Sequence, residues 1–286
     1  MSNLIEGFLG KSVEGKKSRM PAKLDYWQSA TGLFLALFMW GHLFFTSTIL
    51  ISKDFMYSVT KMFEGSWFLE KGNPYIVSIF VAIVLIAFII HAMLGMRKMP
   101  STYRQYQVFK THMGMIKHED TTLWYIQVIT GFSMFFLGST HLIIMLTAPD
   151  KIGPFASADS LVSDLMWPIM LLLLFAVEVH GAVGLYRLSE KWGWFDGKNP
   201  RETRKNLKKA MWGIMIFTIL LGLTSLGAYI KIGLAHRDQA GQRYQPTAQV
   251  QMMKNIKTGE NMNYETSFRS YNAMSFSEIS FQKMGV

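Results

Sequence analysis

The sequence predicts an all-α integral membrane protein, with five transmembrane helices in a bundle. Half of the 286 residues are hydrophobic and only 17% are charged. The mean hydropathy is positive, +0.19, in spite of long polar ends. That profile is polytopic rather than soluble. The apolar residues are also gathered into five runs, each close to the roughly 20 residues a helix needs to cross the hydrocarbon core.

The runs extend from about Trp27 to Ile51, Pro74 to Met96, Leu123 to Thr147, Leu161 to Leu188 and Ala210 to Ile232. Pro168 is expected to kink the fourth near its start, because proline removes a helical donor. Segment 101–120 (STYRQYQVFKTHMGMIKHED) is too polar to span. It suits an interfacial helix with Tyr103, Tyr106 and Phe109 turned to lipid or protein. Three regions follow: an N-terminal arm over 1–25, a membrane domain over 26–235 and a polar tail over 236–286. The tail is rich in Gln, Asn, Ser and Met without periodicity, so it is expected to be mostly disordered or ordered by a partner. The arm lacks a continuous apolar run and a small-residue cleavage site, so no cleaved signal peptide is expected.

Zero cysteines exclude disulfides, c-type haem attachment and thiolate-held iron–sulfur clusters within this chain. The net charge of +10 carries no nucleic-acid motif with it; basic loops beside anionic lipid account for it. Lys16, Lys17, Arg19 and Lys23 precede the first span. Arg97, Lys98, Arg104, Lys110 and Lys117 follow the second. The loop after the fourth carries eight cations from Arg187 to Lys209. These share one side, which the positive-inside rule places in the cytoplasm. Lys53, Lys61 and Lys71 lie opposite, as does Lys151. Five spans then put the N-terminus in the cytoplasm and the C-terminus outside.

Four histidines lie within the apolar runs: His42, His91, His141 and His180. An ionisable group at that depth is costly and marks function. His42 and His141 fall in the outer half of outward-going helices. His91 and His180 fall late in inward-going ones. Depth therefore pairs His42 with His141 and His91 with His180, in layers on the order of 10–20 Å apart. Two pairs of imidazoles suit the axial positions of two haems; a tetrahedral zinc site would be short of ligands in each layer. Bis-histidine ligation favours electron transfer over chemistry at iron. Gly41, Gly95, Gly138, Gly181 and Gly184 lie near the histidines, where missing side chains would admit a flat macrocycle or pack helices. His112 and His118 fall in a polar loop and His236 at a helix end, and these are assigned to solvent or the interface.

The segments KKSRMPAKLDYWQSATGLFL, RQYQVFKTH, DTTLWYIQ, MFFLGSTH, LLLFAVEVHGAVGLYRL and KWGWFDG resemble the cytochrome b subunit of dihaem menaquinol:fumarate reductases of the epsilonproteobacterial type. The resemblance covers roughly residues 8 to 235; the tail is longer than is usual for that family. It implies two haems b, with His91 and His180 on the inner one and His42 and His141 on the outer one. It implies menaquinol oxidation near the outer face of the bacterial inner membrane. It implies partners docked on the cytoplasmic side, a flavoprotein with covalent FAD and an iron–sulfur subunit, assembled as a dimer of heterotrimers. By resemblance, Gln28, Ser29, Lys98, Trp124 and Lys191 surround inner haem propionates. The family's basic residue before the fourth span is missing, with Ser160 near that place.

Two acids are singled out. Glu64, in SVTKMFEGSW, reads from the residues alone as one exposed loop carboxylate among several, with Asp54 and Glu70. Quinol oxidation needs a base near the outer haem, and by resemblance Glu64 is that group, with Phe63 and Trp67 as walls of a quinone pocket. Glu178 lies in an apolar run two residues before His180, where a carboxyl is neutral unless paired. It is expected either to take up a proton as the haems are reduced, as the resemblance implies, or to bond a helix carbonyl. Two alternatives stay open: a succinate:quinone oxidoreductase running in reverse, and a structural anchor without quinone chemistry.

Overall fold

The computed structural model describes residues 19–69, 72–100, 102–116 and 119–247. Lys16, Lys17, Glu70, Lys71, Lys117, His118 and the tail from residue 248 lie outside the described residues. The architecture below belongs to the compact unit ending at Gln242. Five helices are long and apolar enough to cross a bilayer: α1 (Met20–Ser47), α3 (Pro74–Met96), α5 (Glu119–Thr147), α7 (Trp167–Trp192) and α8 (Pro200–His236). Three shorter helices lie between them: α2 (Lys53–Phe63), α4 (Tyr103–Ile116) and α6 (Pro154–Val162).

Local chemistry sets the boundaries. Asn73 Oδ1 accepts from Tyr75 N at 3.0 Å and Asn199 Oδ1 from Arg201 N at 3.2 Å. Each cap is followed by a proline, whose missing N–H is no loss in a first turn. Ser52 caps α2 in the same way, with Asp54 in its first turn and Lys61 in its last, charges that suit the helix dipole. From the sequence alone this segment reads as loop, because it is too short and polar to span; the Ser52 cap makes it a helix. The fourth span begins at Trp167, not near Leu161. Residues 154–162 form their own helix, and the chain then turns through Leu165 at φ 56°. Pro168 therefore sits in the first turn of α7 and introduces no interior kink, contrary to expectation. The fifth span begins earlier than its apolar run, at Pro200. Its first turns are built of good helix formers and are tied down by Lys208, which pairs with Glu119 at 2.7 Å and Asp120 at 2.8 Å. On α4, Phe109 meets Trp124 edge-on at 4.7 Å and the Tyr106 hydroxyl lies 3.2 Å from that of Tyr125. Those two side chains face α5, and Tyr103 is exposed.

Helices α1, α3, α5 and α7 close a ring in which each packs on the next, and α8 lies against α7 and α1. Ile79, Ile83, Ile86, Phe132, Phe136 and Phe217 are exposed on its outside, a surface suited to lipid and not to water. This is a membrane protein. Apolar burial does little to join helices in lipid, so polar contacts and close packing act instead. The Ser225 hydroxyl donates to Ser47 Oγ at 2.9 Å between α8 and α1. The Tyr229 hydroxyl donates to the Thr46 carbonyl at 3.2 Å, and Ser78 donates to the Leu146 carbonyl at 3.1 Å between α3 and α5.

His236, assigned above to solvent or the interface, is buried instead. Its Nδ1–H donates to Asp159 Oδ1 at 2.9 Å, and its ring stacks on Phe155 with centroids 4.0 Å apart. Asp159 Oδ2 accepts from Gly241 N at 2.9 Å. One buried carboxylate thus ties α6 to the end of α8. Asp159→Ala would leave the buried His236 donor unpaired and free the Gly241 N–H to water, at a cost of about 1–3 kcal/mol. The expected result is a clearly lower thermal midpoint in detergent, with Asp159→Asn intermediate.

Candidate functional site

The ring brings the four intramembrane histidines together in two pairs. The His42 and His141 rings lie with centroids 6.1 Å apart, and those of His91 and His180 lie 6.3 Å apart. Two imidazoles bonded to opposite sides of one metal ion, at the roughly 2 Å of a metal–imidazole bond, put their centroids about 6 Å apart. Both pairs therefore have the span of a bis-imidazole site. The planes of the inner pair are nearly perpendicular, at 86°, and those of the outer pair meet at 57°. Phe38 stacks on His42 at 5.7 Å.

The inner pair is held from behind. His91 Nδ1–H donates to the Gln28 carbonyl at 3.2 Å, and His180 Nδ1–H donates to the Gln127 carbonyl at 2.9 Å. A carbonyl only accepts, so the bond sets the tautomer and leaves Nε2 bare as the ligating nitrogen. Thr31 Oγ1 and Thr130 Oγ1 stand 3.3 and 3.4 Å from the same nitrogens. A Cβ at Gly32 would lie 2.8 Å from His91 Cε1, and one at Gly131 would lie 2.8 Å from His180 Cε1. The closest approaches to these rings thus fall at Gly32 and Gly131. Of the glycines singled out from the sequence, Gly95 and Gly184 face the side-chain amides of Gln28 and Gln127.

A repeat in the chain underlies this symmetry, and it was missed by attending to histidine alone. Gln28-x-x-Thr31-Gly32 on α1 recurs as Gln127-x-x-Thr130-Gly131 on α5, with a histidine eleven residues after each threonine. His91-x-x-x-Gly95 on α3 recurs as His180-x-x-x-Gly184 on α7, with a cation, Lys98 or Arg187, seven residues after each histidine. The two helix pairs present the same groups to each other. Arg187 donates to Gln127 Oε1 at 2.9 Å.

At the inner end, Asp25 gathers most of the residues expected there, and was not itself singled out. Arg97 reaches it at 2.6 Å, Lys98 at 2.9 Å and Lys191 at 3.5 Å. Lys191 Nζ also donates to Ser29 Oγ at 3.2 Å. Burial pulls the Lys98 ammonium below its ordinary pKa, and the hydrogen bond to Asp25 opposes it. Gln28 Oε1 and Arg97 Nε are buried without a hydrogen-bond partner. Three cations around one carboxylate, with polar atoms still unsatisfied, suit an anionic group. Trp124 packs against Phe109.

The two acids differ. Glu64 ends α2 and is 3% exposed, so it is not the solvated loop acid that the residues alone suggested. Lys61 Nζ donates to its Oε2 at 2.6 Å, and its main-chain carbonyl accepts from Asn73 N at 2.7 Å. Phe63 lies edge-on to Phe45 at 4.7 Å, while Trp67 is 79% exposed. Glu178 is 1% exposed within the bundle. Trp40 and Thr218 are its polar neighbours, yet Glu178 Oε2 and Trp40 Nε1 both lack a hydrogen-bond partner.

Known proteins show the family of the chain. Residues 103–222 match the succinate dehydrogenase/fumarate reductase transmembrane subunit family. The fumarate reductase cytochrome b subunit of Wolinella succinogenes is 58% identical over 236 residues, 82% of this chain and 92% of the relative. That of Helicobacter pylori strain J99 is 54% identical over 235 residues, 82% of this chain and 91% of the relative. The chain belongs to the fumarate reductase cytochrome b family. The family match takes in His141, Glu178 and His180.

Gly131 and Gly213 give a paired check. Gly131→Val should drive the His180 imidazole from its place and lower the haem retained by the purified chain. At Gly213, where a Cβ meets nothing within 4 Å, the same change should leave haem content unaltered.

Proposed function

We propose that this chain is the dihaem membrane subunit of a fumarate reductase, oxidising menaquinol near the outer face of the bacterial inner membrane. The observation that carries the proposal is the pair of bis-imidazole spans, 6.1 and 6.3 Å, one in each layer of the same four-helix ring. His91 and His180 would hold the inner haem b, and His42 and His141 the outer one. Held by two imidazoles, haem b would supply single-electron exchange rather than chemistry on dioxygen.

The chain's own groups do the rest. The Gln28 and Gln127 carbonyls keep Nε2 of His91 and His180 aimed between the helices. Gln28, Ser29, Lys98 and Lys191, with Arg97 beside Asp25, present donors for the inner propionates. Trp124 is assigned to the same environment by resemblance. Oxidising one menaquinol yields menaquinone, two protons and two electrons. Glu64, a buried carboxylate at the outer end, accepts a proton from the quinol hydroxyl, and Phe63 and Trp67 supply apolar surface for the ring. Glu178 takes up a proton as electrons enter the bundle, which offsets negative charge in a medium that screens little. The electrons leave at the cytoplasmic side to an iron–sulfur subunit and then to a flavoprotein carrying FAD, where fumarate becomes succinate. The basic loops after α3 and α7 support docking on that face, with the N-terminus cytoplasmic and the C-terminus periplasmic. A dimer of heterotrimers is the proposed assembly.

Haem quantitation with a redox titration should give two haems b per chain and two one-electron waves. One haem, or a single wave, would defeat the assignment. Glu64→Gln should retain both haems and lower menaquinol-dependent fumarate reduction by about a hundredfold or more, the usual weight of a general base. Glu178→Gln should keep the haems and lose quinol-linked turnover, while reduction of fumarate by a dye that bypasses this chain stays normal. Full quinol-linked activity would sink its proton role. Comparing succinate-driven and fumarate-driven rates with one quinone decides the physiological direction.

A further inference from the structure

We propose that Lys61 is a positioning residue for quinol oxidation, holding the Glu64 carboxylate in place as the proton acceptor; the inference rests on the role given to Glu64 above. Lys61 lies three residues before Glu64, so both side chains leave the same face of α2. Its Nζ is 2.6 Å from Glu64 Oε2. The same ammonium stands 5.5 Å over the ring of Tyr57, one turn earlier, a cation–π contact that fixes it from the other side. The chain then closes over the pair. A Cβ at Gly72 would lie 2.8 Å from Glu64 Cβ, 2.9 Å from its Oε2 and 3.5 Å from Lys61 Cδ. The Asn73 N–H bond to the Glu64 carbonyl holds that closure. The carboxylate is thus enclosed by Gly72 on one side and held by an ammonium on another.

Enclosure makes the cation necessary. A buried carboxylate without a partner either binds a proton or moves to water. In the first state it cannot accept the quinol's proton, and in the second it is out of reach. Lys61 gives the enclosed carboxylate a partner where it stands. When one quinol hydroxyl transfers its proton to Glu64, that O–H bond breaks and an O–H bond on the carboxyl forms; the second hydroxyl loses its proton to water at the outer face, which completes the quinone. The two electrons would leave through the haems that the four histidines would hold. The neutral carboxyl then releases the ammonium. The Lys61 side chain is 30% exposed against 5% for Glu64, so the freed ammonium has a path to solvent at the outer face. Losing that proton outward restores the pair for the next turnover.

The test compares Lys61→Met, Lys61→Arg and Glu64→Gln in the purified complex, with a reduced naphthoquinone as donor and fumarate as acceptor. Lys61→Met should lower kcat roughly tenfold or more, the weight of one charge-assisted hydrogen bond, with KM changed by less than about twofold. Lys61→Arg should recover most of the rate, and all three should keep both haems. The redox-induced infrared difference spectrum should lose the Glu64 carboxyl signal in Lys61→Met as it does in Glu64→Gln. A Lys61→Met enzyme with normal kcat beside an inactive Glu64→Gln overturns this inference alone. So does an arginine variant as slow as the methionine one, or loss of haem in Lys61→Met, which would make the lysine a folding element. An active Glu64→Gln removes the role of Glu64 itself and Lys61's with it.

Discussion

Two hydrogen bonds across the bundle, from His91 to the Gln28 carbonyl and from His180 to the Gln127 carbonyl, set the geometry on which the inner layer depends. In a helix those carbonyls already serve the ladder, so each histidine uses a second lone pair. That requires the ring to come close to the opposite backbone. Gly32 and Gly131 permit the approach, since any side chain there would overlap the imidazole. The threonines beside them add a hydroxyl to the same nitrogen. A histidine anchored on one side by its Nδ1 has one nitrogen left, and the helix pairing decides where it points. Tautomer, ring direction and interhelical spacing are therefore one constraint rather than three. In lipid, where apolar contact between helices is weakly favoured, this polar fixing also contributes to the assembly of α1 with α3 and of α5 with α7.

Much of this was legible in the residues, for physical reasons that also mark the limits. Spans are legible because a bilayer imposes a length and an apolar composition on each helix alone. The four histidines stand out because charge in an apolar run is costly at any position, and depth paired them without knowledge of packing. The Gln-x-x-Thr-Gly repeat was present in the sequence but invisible to a search for ionisable groups. Asp25, the burial of Glu64 and the seat of His236 are different. Each depends on which element folds over it: Arg97, Lys98 and Lys191 over Asp25, Gly72 over Glu64, and α6 over His236. Periodicity in one segment carries no record of such partners. The start of the fourth span was misplaced because Leu161, Val162, Leu165 and Met166 are apolar enough to extend it, and only the turn at Leu165 with Pro168 in the next first turn sets them apart from α7.

The two singled-out acids illustrate how environment divides like groups. Glu64 sits at the end of a short helix outside the spans, and its charge has a partner within 3 Å, at 2.6 Å. Glu178 is deep in the ring beside Trp40 and Thr218, with one oxygen unpartnered. A carboxylate that keeps a cation can stay ionised and accept a proton on demand. A carboxyl without one changes state when charge near it changes. The same side chain thus serves substrate chemistry at one place and charge compensation at the other, within the proposed reading.

Charge is also distributed unevenly along the bundle. Away from the Asp25 cluster, Glu64 meets the single cation Lys61, and Asp159 accepts from His236 and the Gly241 N–H. At the inner end a single carboxylate, Asp25, is shared by Arg97, Lys98 and Lys191, which leaves a surplus of positive charge beside His91. A positive surplus favours bound anions and added electrons in that layer over the other. Within the proposed function, where the quinol is oxidised near the outer face, that gradient runs in the useful direction, toward the loops given to the cytoplasmic side. Asp25 moderates the surplus and keeps three like charges within reach of one another. Removing it would leave the cations repelling each other around a half-buried site, so the acid that competes for them is also what allows them to be gathered there.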